Sequence, residues 1–330
     1  MSDVEQTKAP PAQEVEPMPE TEATTEPAEA TEYRVGTVAL VGRPNAGKST
    51  LMNRWLAEKV AIVSSKPQTT RHRIVGILSE ERGQIVFFDT PGVHKPQHRM
   101  NHQMVKAAQE ALNDADLVCL LVDVSQRTGA GDQFMRQWVS RVETPKIVLL
   151  NKIDQIEKKS LLPRIAEYSE AGFDVIVPIS ALEADGTDRV LELLWDRLGP
   201  GEPIYDPELV SIHPERFLVA ERIREQVLHR TREELPFSVA VVIDGWETTE
   251  KGLLVIHASI LVERPGQKKI LVGAGGRQIK AIGTAARRDL ESYLEQRIHL
   301  DLRVRLERDW RDNPRILSEL DRAPFDVRLD

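Results

Sequence analysis

Gly42-Arg43-Pro44-Asn45-Ala46-Gly47-Lys48-Ser49 is the stretch on which the reading of the fold turns. It fits the phosphate-loop pattern GxxxxGK[ST] and follows the apolar run Val38–Val41, with a helix opening behind it. The pattern carries meaning in that strand–loop–helix setting. Two glycines let main-chain N–H groups curl around phosphate oxygens. The start of a helix adds a partial positive charge. Lys48 supplies a cation near β- and γ-phosphates, and the Ser49 hydroxyl suits Mg²⁺. Residues Gly42 through Ser49, with Thr50 after them, are read as the phosphate-binding segment.

Outward from there, three more motifs follow apolar runs of strand length. Asp89-Thr90-Pro91-Gly92 comes after Ile85–Phe88. Asp89, at a strand end, is placed to hold Mg²⁺ through a water, while Gly92 offers an N–H to the γ-phosphate and a hinge. Asn151-Lys152-Ile153-Asp154 comes after Ile147–Leu150. Asp154 accepts two hydrogen bonds from the guanine ring N–H and exocyclic amine, donors that adenine lacks there; Lys152 lies over the base. A pocket left with an unpaired polar group discriminates by about 10⁴. Ser180-Ala181-Leu182 follows the next run, and the Ala181 N–H is expected to bond the guanine carbonyl oxygen.

Between the first helix and Ile74–Leu78 stands Pro67-Gln68-Thr69-Thr70-Arg71-His72. Thr70 is the first choice for a hydroxyl that reaches Mg²⁺ only when a γ-phosphate is present, and Thr69 is the alternative. The metal set is therefore Ser49, Thr70 and, through water, Asp89. Lys48, Thr70, Gly92 and Asn45 form the expected catalytic set. Val93, directly after Gly92, cannot orient an attacking water as a glutamine there does, so hydrolysis is expected to be slow. The amide oxygen of Asn45, inside the loop, suits a monovalent cation; K⁺ there would bridge the α- and γ-phosphates in place of an arginine finger. The other reading of Asn45 is a turn residue bonded to its own backbone. His94, His98 and His102 stand four apart without a nearby carboxylate or cysteine, and read as a solvated or phosphate-facing loop rather than a metal site.

Helix-length segments (Asn101–Asn113, Asp132–Arg141, Asp188–Leu198) alternate with the strand-length runs, which also include Leu117–Val122 and Val175–Val177. That alternation predicts an α/β domain, its sheet mostly parallel with helices on both faces. The proline-rich Gly199–Ser211 reads as an ordered linker. Beyond it, a helix over Pro214–Glu234, strands over Phe237–Asp244 and Leu253–Val262, two helices about a glycine cluster, and a strand over Ile298–Leu306 make a smaller α+β domain. The expected division is 1–32, 33–200, 201–213 and 214–330.

The chain has 330 residues and a net charge of −8, all of it carried by residues 1–32, where nine acids face Lys8 alone. Removing that stretch from 44 bases and 52 acids leaves 43 of each, so the acidic total says nothing against nucleic-acid binding elsewhere. Residues 1–32, rich in Pro, Glu, Ala and Thr, are expected to be a disordered acidic tail. No apolar run approaches the roughly 20 residues needed to span a bilayer, and the start does not read as a signal peptide. The single cysteine, Cys119, sits in an apolar run and is expected to pack in a strand. A reducing cytoplasm fits. Residues 260–289 hold seven bases (Arg264, Lys268, Lys269, Arg277, Lys280, Arg287 and Arg288) against Glu263 and Asp289. Gly273-Ala274-Gly275-Gly276 lies among them as a GxxG turn.

Taken together, GRPNAGKSTLMN, QTTRHRIVGI, DTPGVHKP, NKID and SAL, then ELPFSVAVVID, ILVERPGQKKILVGAGGRQIKAIG and WRDNP, closely resemble the Era family of bacterial GTPases over about residues 33–330. The resemblance implies a GTPase domain followed by a type II KH domain, whose GxxG loop clamps about four single-stranded nucleotides. It implies GTP and GDP as ligands with Mg²⁺, binding near the 3′ end of 16S ribosomal RNA, a part in 30S subunit assembly, and peripheral membrane contact. RNA contacts are assigned to Lys268, Lys269, Gly273, Ala274, Gly275, Gly276, Arg277 and Lys280. Ala274 and Gly275 carry no charge where family members often have a polar residue, which shifts the phosphate contacts to backbone N–H groups, Arg277 and Lys280. The chain is read as a monomer. Two other readings stand beside this one: an RNA-binding scaffold with a slow, structural nucleotide, and a membrane-associated cell-cycle regulator.

Overall fold

The computed structural model describes residues 32–92 and 98–322. The first half runs β1 (Arg34–Gly42), α1 (Lys48–Leu56), β2 (Ile74–Glu80), β3 (Gly83–Asp89), α2 (Arg99–Asn113), β4 (Leu117–Asp123), α3 (Ala130–Ser140), β5 (Lys146–Asn151), α4 (Leu161–Glu170), β6 (Ile176–Ile179), α5 (Thr187–Trp195) and β7 (Gly199–Pro200). The sheet order is β2-β3-β1-β4-β5-β6, with β7 on the start of β1. All main pairs are parallel except β2–β3. Period-2 geometry explains the two layers of helix. Val38 and Leu40 join a core with Leu51 and Met52 of α1 and Val190 of α5. Ala39 and Val41 join another with Ala108 and Leu112 of α2 and Met135 of α3. Cys119, in β4, is fully buried. This is the expected α/β fold, and it gathers the loops after β1, β3, β5 and β6 at one end of the sheet, where ligands of such sheets bind.

The free side of β2 is covered rather than left open. Ile77 N–H donates to the Val210 carbonyl at 2.8 Å, Val75 N–H to His213 Nε2 at 2.8 Å, and Ser211 Oγ to the Val75 carbonyl at 2.7 Å. Pairing of this kind protects an edge strand.

The second half runs α6 (Glu215–Arg230), β8 (Ala240–Thr248), β9 (Leu254–Val262), α7 (Pro265–Val272), α8 (Arg277–Tyr293), β10 (Ile298–Leu306) and α9 (Pro314–Arg322). Its sheet order is β10-β9-β8; β10 is parallel to β9 and β8 antiparallel to it. Val219, Ile223 and Val227 of α6 pack with Ile282 and Leu290 of α8 on Ile256, Ala258 and Ile260. Ala240, Val242 and Leu261 pack instead with Trp310, Ile316 and Leu317 and with Met100 and Met104 of α2. The phosphate-loop half thus shares a core with the second sheet.

Three expectations need correction. The strand read over Phe237–Asp244 begins at Ala240, because Leu235–Ser238 forms a 3₁₀ turn. The main-chain carbonyls there face other partners: Arg71 donates to Val239 at 2.6 Å and to Phe237 at 3.2 Å, and Trp310 Nε1 to Ser238 at 3.0 Å. At its far end β8 runs on to Thr248 through a bulge between Ile243 and Gly245, which takes up an extra residue and lets the pairing continue past Asp244. His98 and His102 stand at the N-terminus of α2 rather than in a loop. Asp312 brings this about, accepting the Arg99 N–H at 2.8 Å and meeting His98 Nδ1 at 3.2 Å. The expectations for the acidic tail up to residue 31, for Val93 and His94, and for residues 323–330 lie outside the described residues. Among those described, no helix is long and apolar enough to cross a membrane.

Trp310 is fully buried and sits beneath the Arg71 guanidinium, 5.5 Å from its ring centroid. Trp310→Ala should destabilise the second half by about 3–5 kcal/mol, as for other buried aromatic truncations. Hydrogen exchange should then show β8 and β9 opening earlier than β1 and β4.

Candidate functional site

The phosphate loop is held in shape by close backbone approaches. Gly47 lies at φ +99°, and a Cβ there would stand 2.2 Å from Asn151 Nδ2. A Cβ on Gly92 would stand 2.5 Å from Pro44 N, so the loops after β1 and β3 touch main chain to main chain. Lys48 is buried, its Nζ 3.3 Å from the Arg43 carbonyl. Burial lowers its pKa and the Asp89 charge opposes the fall; this is a cation suited to an anionic ligand. The Arg43 side chain leaves the loop and pairs with Asp132 at 2.7 Å. Its expected nucleotide contact is thereby limited to main chain.

Three oxygens converge at the end of β3. Ser49 Oγ donates to Asp89 Oδ2 at 2.5 Å and lies 3.0 Å from Thr70 Oγ1, which is itself 3.4 Å from Asp89 Oδ2. Asp89 is wholly buried, and its Oδ1 has no hydrogen-bond partner. Burial raises its pKa; Lys48 and the two hydroxyls act the other way. An under-bonded buried carboxylate flanked by two hydroxyls fits a hard divalent cation, which takes oxygen ligands. Of the two threonines, Thr70 faces this cluster and Thr69 turns away, its hydroxyl donating to the Lys66 carbonyl at 2.6 Å. Thr90 also turns inward: its hydroxyl donates to the Leu40 carbonyl at 2.8 Å, so it does not reach a ligand.

At the other end of the cleft, Ser180 Oγ donates to Asp154 Oδ1 at 2.6 Å and leaves the rest of that exposed carboxylate open. Lys152 sits at φ +71°, its Nζ 2.6 Å from Asp123 Oδ2. Asn151 is a structural bridge, donating Nδ2 to the Ala46 carbonyl at 2.7 Å and accepting the Ala181 N–H at 2.9 Å. The Ala181 N–H, expected to face guanine, is therefore already paired. Leu182 is exposed beside it. The cleft between these groups has a volume of about 320 Å³, with Pro44, Gly47, Thr50 and Gly92 on its walls. Gln68 lines it too, as do Ile62–Ser65; no motif marked those four, since they reach it only through the course of the loop before β2. Asn45, at φ +63°, donates Nδ2 to the Ser65 carbonyl at 2.6 Å.

On the second half, Gly273, Gly275 and Gly276 have φ of +70°, +61° and +76°, and form the turn between α7 and α8. Nothing lies within 4 Å of where a Cβ on Gly275 or Gly276 would stand. Lys268, Lys269, Arg277 and Lys280 are exposed around this bare backbone, as are Ala274 and the apolar Ile270. Cations around an approachable main chain, next to an apolar side chain, suit a phosphodiester strand with its bases turned inward.

The profile of the family described as 50S ribosome-binding GTPase matches residues 37–152, and that of the KH domain matches residues 234–311. The GTPase Era of Heliobacterium modesticaldum is 44% identical over 298 residues, covering 90% of this chain and 99% of that protein. The chain belongs to the Era family. It is a GTPase, with a phosphate-loop domain followed by a KH domain. Two solved Era structures align at 37% identity over 87% of this chain and 98% of theirs. An Aquifex aeolicus variant bound to GDP and AlF₄⁻ gives a TM-score of 0.84. An Era complex with MgGDPNP and nucleotides 1506–1542 of 16S ribosomal RNA gives 0.85. In this Era-family chain α6 falls between the two matched stretches and belongs to neither.

Asp89→Asn removes a buried charge that lacks a full set of partners. The metal-free variant should therefore melt at least as high as the parent, while the gain in melting temperature on adding Mg²⁺ with GDP should be lost. Thermal melts with and without Mg²⁺ and nucleotide check both halves; a retained Mg²⁺ gain would remove Asp89 from the metal site.

Proposed function

We propose that the chain is a GTP-operated switch that binds the 3′ region of 16S ribosomal RNA and assists assembly of the small ribosomal subunit in the cytoplasm. The observation that carries this is the presence, in one chain, of a complete guanine-nucleotide cleft and an open, cation-ringed GxxG turn. The Era complex with MgGDPNP and 16S ribosomal RNA, matched over 98% of its chain, supports the choice of RNA. In this reading Asp154, steadied by Ser180, pairs with the guanine edge, and Lys48 and the main-chain N–H groups of Asn45–Thr50 hold the phosphates. Ser49, Thr70 and, through water, Asp89 hold Mg²⁺, which neutralises charge on the phosphates when bound. Thr70 and Gly92 meet the γ-phosphate side and are released once it is cleaved, which is how such switches report the nucleotide.

Val93 offers no hydrogen bond to a water, so basal hydrolysis is slow and another charge must help. This reading assigns that help to Asn45. The Ser65 carbonyl that accepts its amide stands beside the loop, and an amide oxygen and a carbonyl oxygen are suitable ligands for K⁺. Hydrolysis should be faster in KCl than in NaCl at equal ionic strength. Asn45→Ala should lose that difference and still bind GDP; equal rates in both salts return Asn45 to the role of a turn residue.

The RNA half is tested with a labelled single strand copying the 3′ end of 16S ribosomal RNA. Gly275→Asp, which sets a carboxylate in the open space of the turn, should weaken binding by at least about tenfold, roughly 1.4 kcal/mol, and leave GDP affinity unchanged. A strand bound equally by parent and variant, or displaced as readily by anionic lipid vesicles as by unlabelled RNA, overturns the assignment.

A further inference from the structure

The segment between α1 and β2 has no regular secondary structure over residues 57–73, yet it carries Thr70 to the metal cluster. Ordering a stretch of that length costs a large conformational entropy, which contacts from outside it must offset. Asn53 of α1 and the Arg71 contacts supply part of that; α6 supplies another part. Glu225 Oε1 accepts the Val63 N–H at 2.9 Å, and the Arg224 guanidinium donates to the Thr69 carbonyl. We propose that Arg224, from a helix outside both the phosphate-loop and KH stretches, is a positioning residue for the GTP state: by gripping the Thr69 carbonyl it keeps Thr70 at the metal cluster. The proposal rests on reading Thr70 as the ligand that meets Mg²⁺ only alongside a γ-phosphate.

The grip transmits because a peptide unit is planar. The Thr69 carbonyl oxygen and the Thr70 N and Cα lie in one rigid plane, so fixing the oxygen limits where Thr70 Cα, and the hydroxyl 3.0 Å from Ser49, can stand. Arg224 is itself rigid. Its Nε and one terminal nitrogen form a two-point pair with Glu221, at 2.7 and 2.6 Å, and its side chain is buried. A guanidinium can serve a carboxylate and a carbonyl at once from one planar fork, which an ammonium cannot. The adjoining face of α6 packs into the KH-domain core through Val219, Ile223 and Val227. Because α6 also gives Phe217 and Leu218 to the core of the first half, Arg224 sits where the two cores meet, and a shift of the KH domain that carries α6 is felt at Thr69. GDP makes no demand on Thr70, so the grip favours GTP over GDP, and linkage requires bound GTP to favour this seat of α6 equally.

The test uses the full chain. Affinities for GDP and for a non-hydrolysable GTP analogue are measured over a range of Mg²⁺ in the parent, Arg224→Gln, Glu221→Gln and Thr70→Ala. Arg224→Gln should weaken the analogue about tenfold and raise the Mg²⁺ needed for half-maximal hydrolysis by a similar factor, with GDP affinity within about twofold. Glu221→Gln, which loosens the fork but leaves Arg224, should move the same quantities less. A selective loss in Thr70→Ala with none in Arg224→Gln overturns the grip; no selective loss in Thr70→Ala overturns the reading of Thr70 and the proposal with it. Should Arg224→Gln weaken both nucleotides together, Glu221→Gln decides: an analogue-selective loss supports the grip, and none overturns it.

Discussion

One buried amide joins the parts of the nucleotide cleft. Asn151, at the end of β5, donates to the Ala46 carbonyl in the phosphate loop and accepts the N–H of Ala181 in the loop after β6. It spans segments 105 and 30 residues away and excludes any side chain at Gly47. Each of the two groups it satisfies would cost about 1–3 kcal/mol if left buried and unpaired. The phosphate and base ends of the cleft are therefore fixed relative to each other before a nucleotide arrives. In the proposed reading, Asp154 and Lys48 act on one ligand because this amide sets the distance between their loops.

The contrast with the metal end is physical. There the oxygens of Ser49, Thr70 and Asp89 converge from three segments and are linked only to one another, and Asp89 Oδ1 stays unbonded. One end of the cleft is pre-formed by neutral hydrogen bonds. The other is poised, with a desolvated carboxylate and a desolvated lysine whose costs a charged ligand offsets. In the proposed reading, such a division lets the base be recognised constantly while the γ-phosphate end responds.

The parts legible in the sequence were those written in local patterns. Apolar runs of strand length alternating with helical segments gave the sheet, and each motif stood directly after such a run, so the end of the sheet where the loops meet followed from topology. The illegible parts depend on partners distant in the chain. Nothing near Phe237 announces that Arg71 and Trp310 take the carbonyls on which a strand there would depend. Nothing near His98 reveals that Asp312 starts the helix behind it. Within the motifs, the inward turns of Thr90 and Ala181 could not be read from spacing, since DxxG and SAL fix where a residue sits but not which neighbour claims its donor. Ile62–Ser65 reach the cleft without any motif, because their place is set by α6.

The contacts between the halves suit a switch better than a permanent joint. Met100 and Met104 of α2 meet the second sheet through an apolar core, yet beside it Arg71 crosses into the KH domain as a buried guanidinium. Burial, followed by the repulsion of Arg224, presses its pKa well below the ordinary value. Main-chain carbonyls of the turn before β8 and the face of Trp310 offset that cost. An apolar side chain would join the halves with less desolvation. The guanidinium leans on three of these carbonyls together, through its two terminal nitrogens, while its Nε has no partner. Since Arg71 directly follows Thr70, that contact in the KH domain and the hydroxyl beside Ser49 and Asp89 are one residue apart, and neither can shift far without the other.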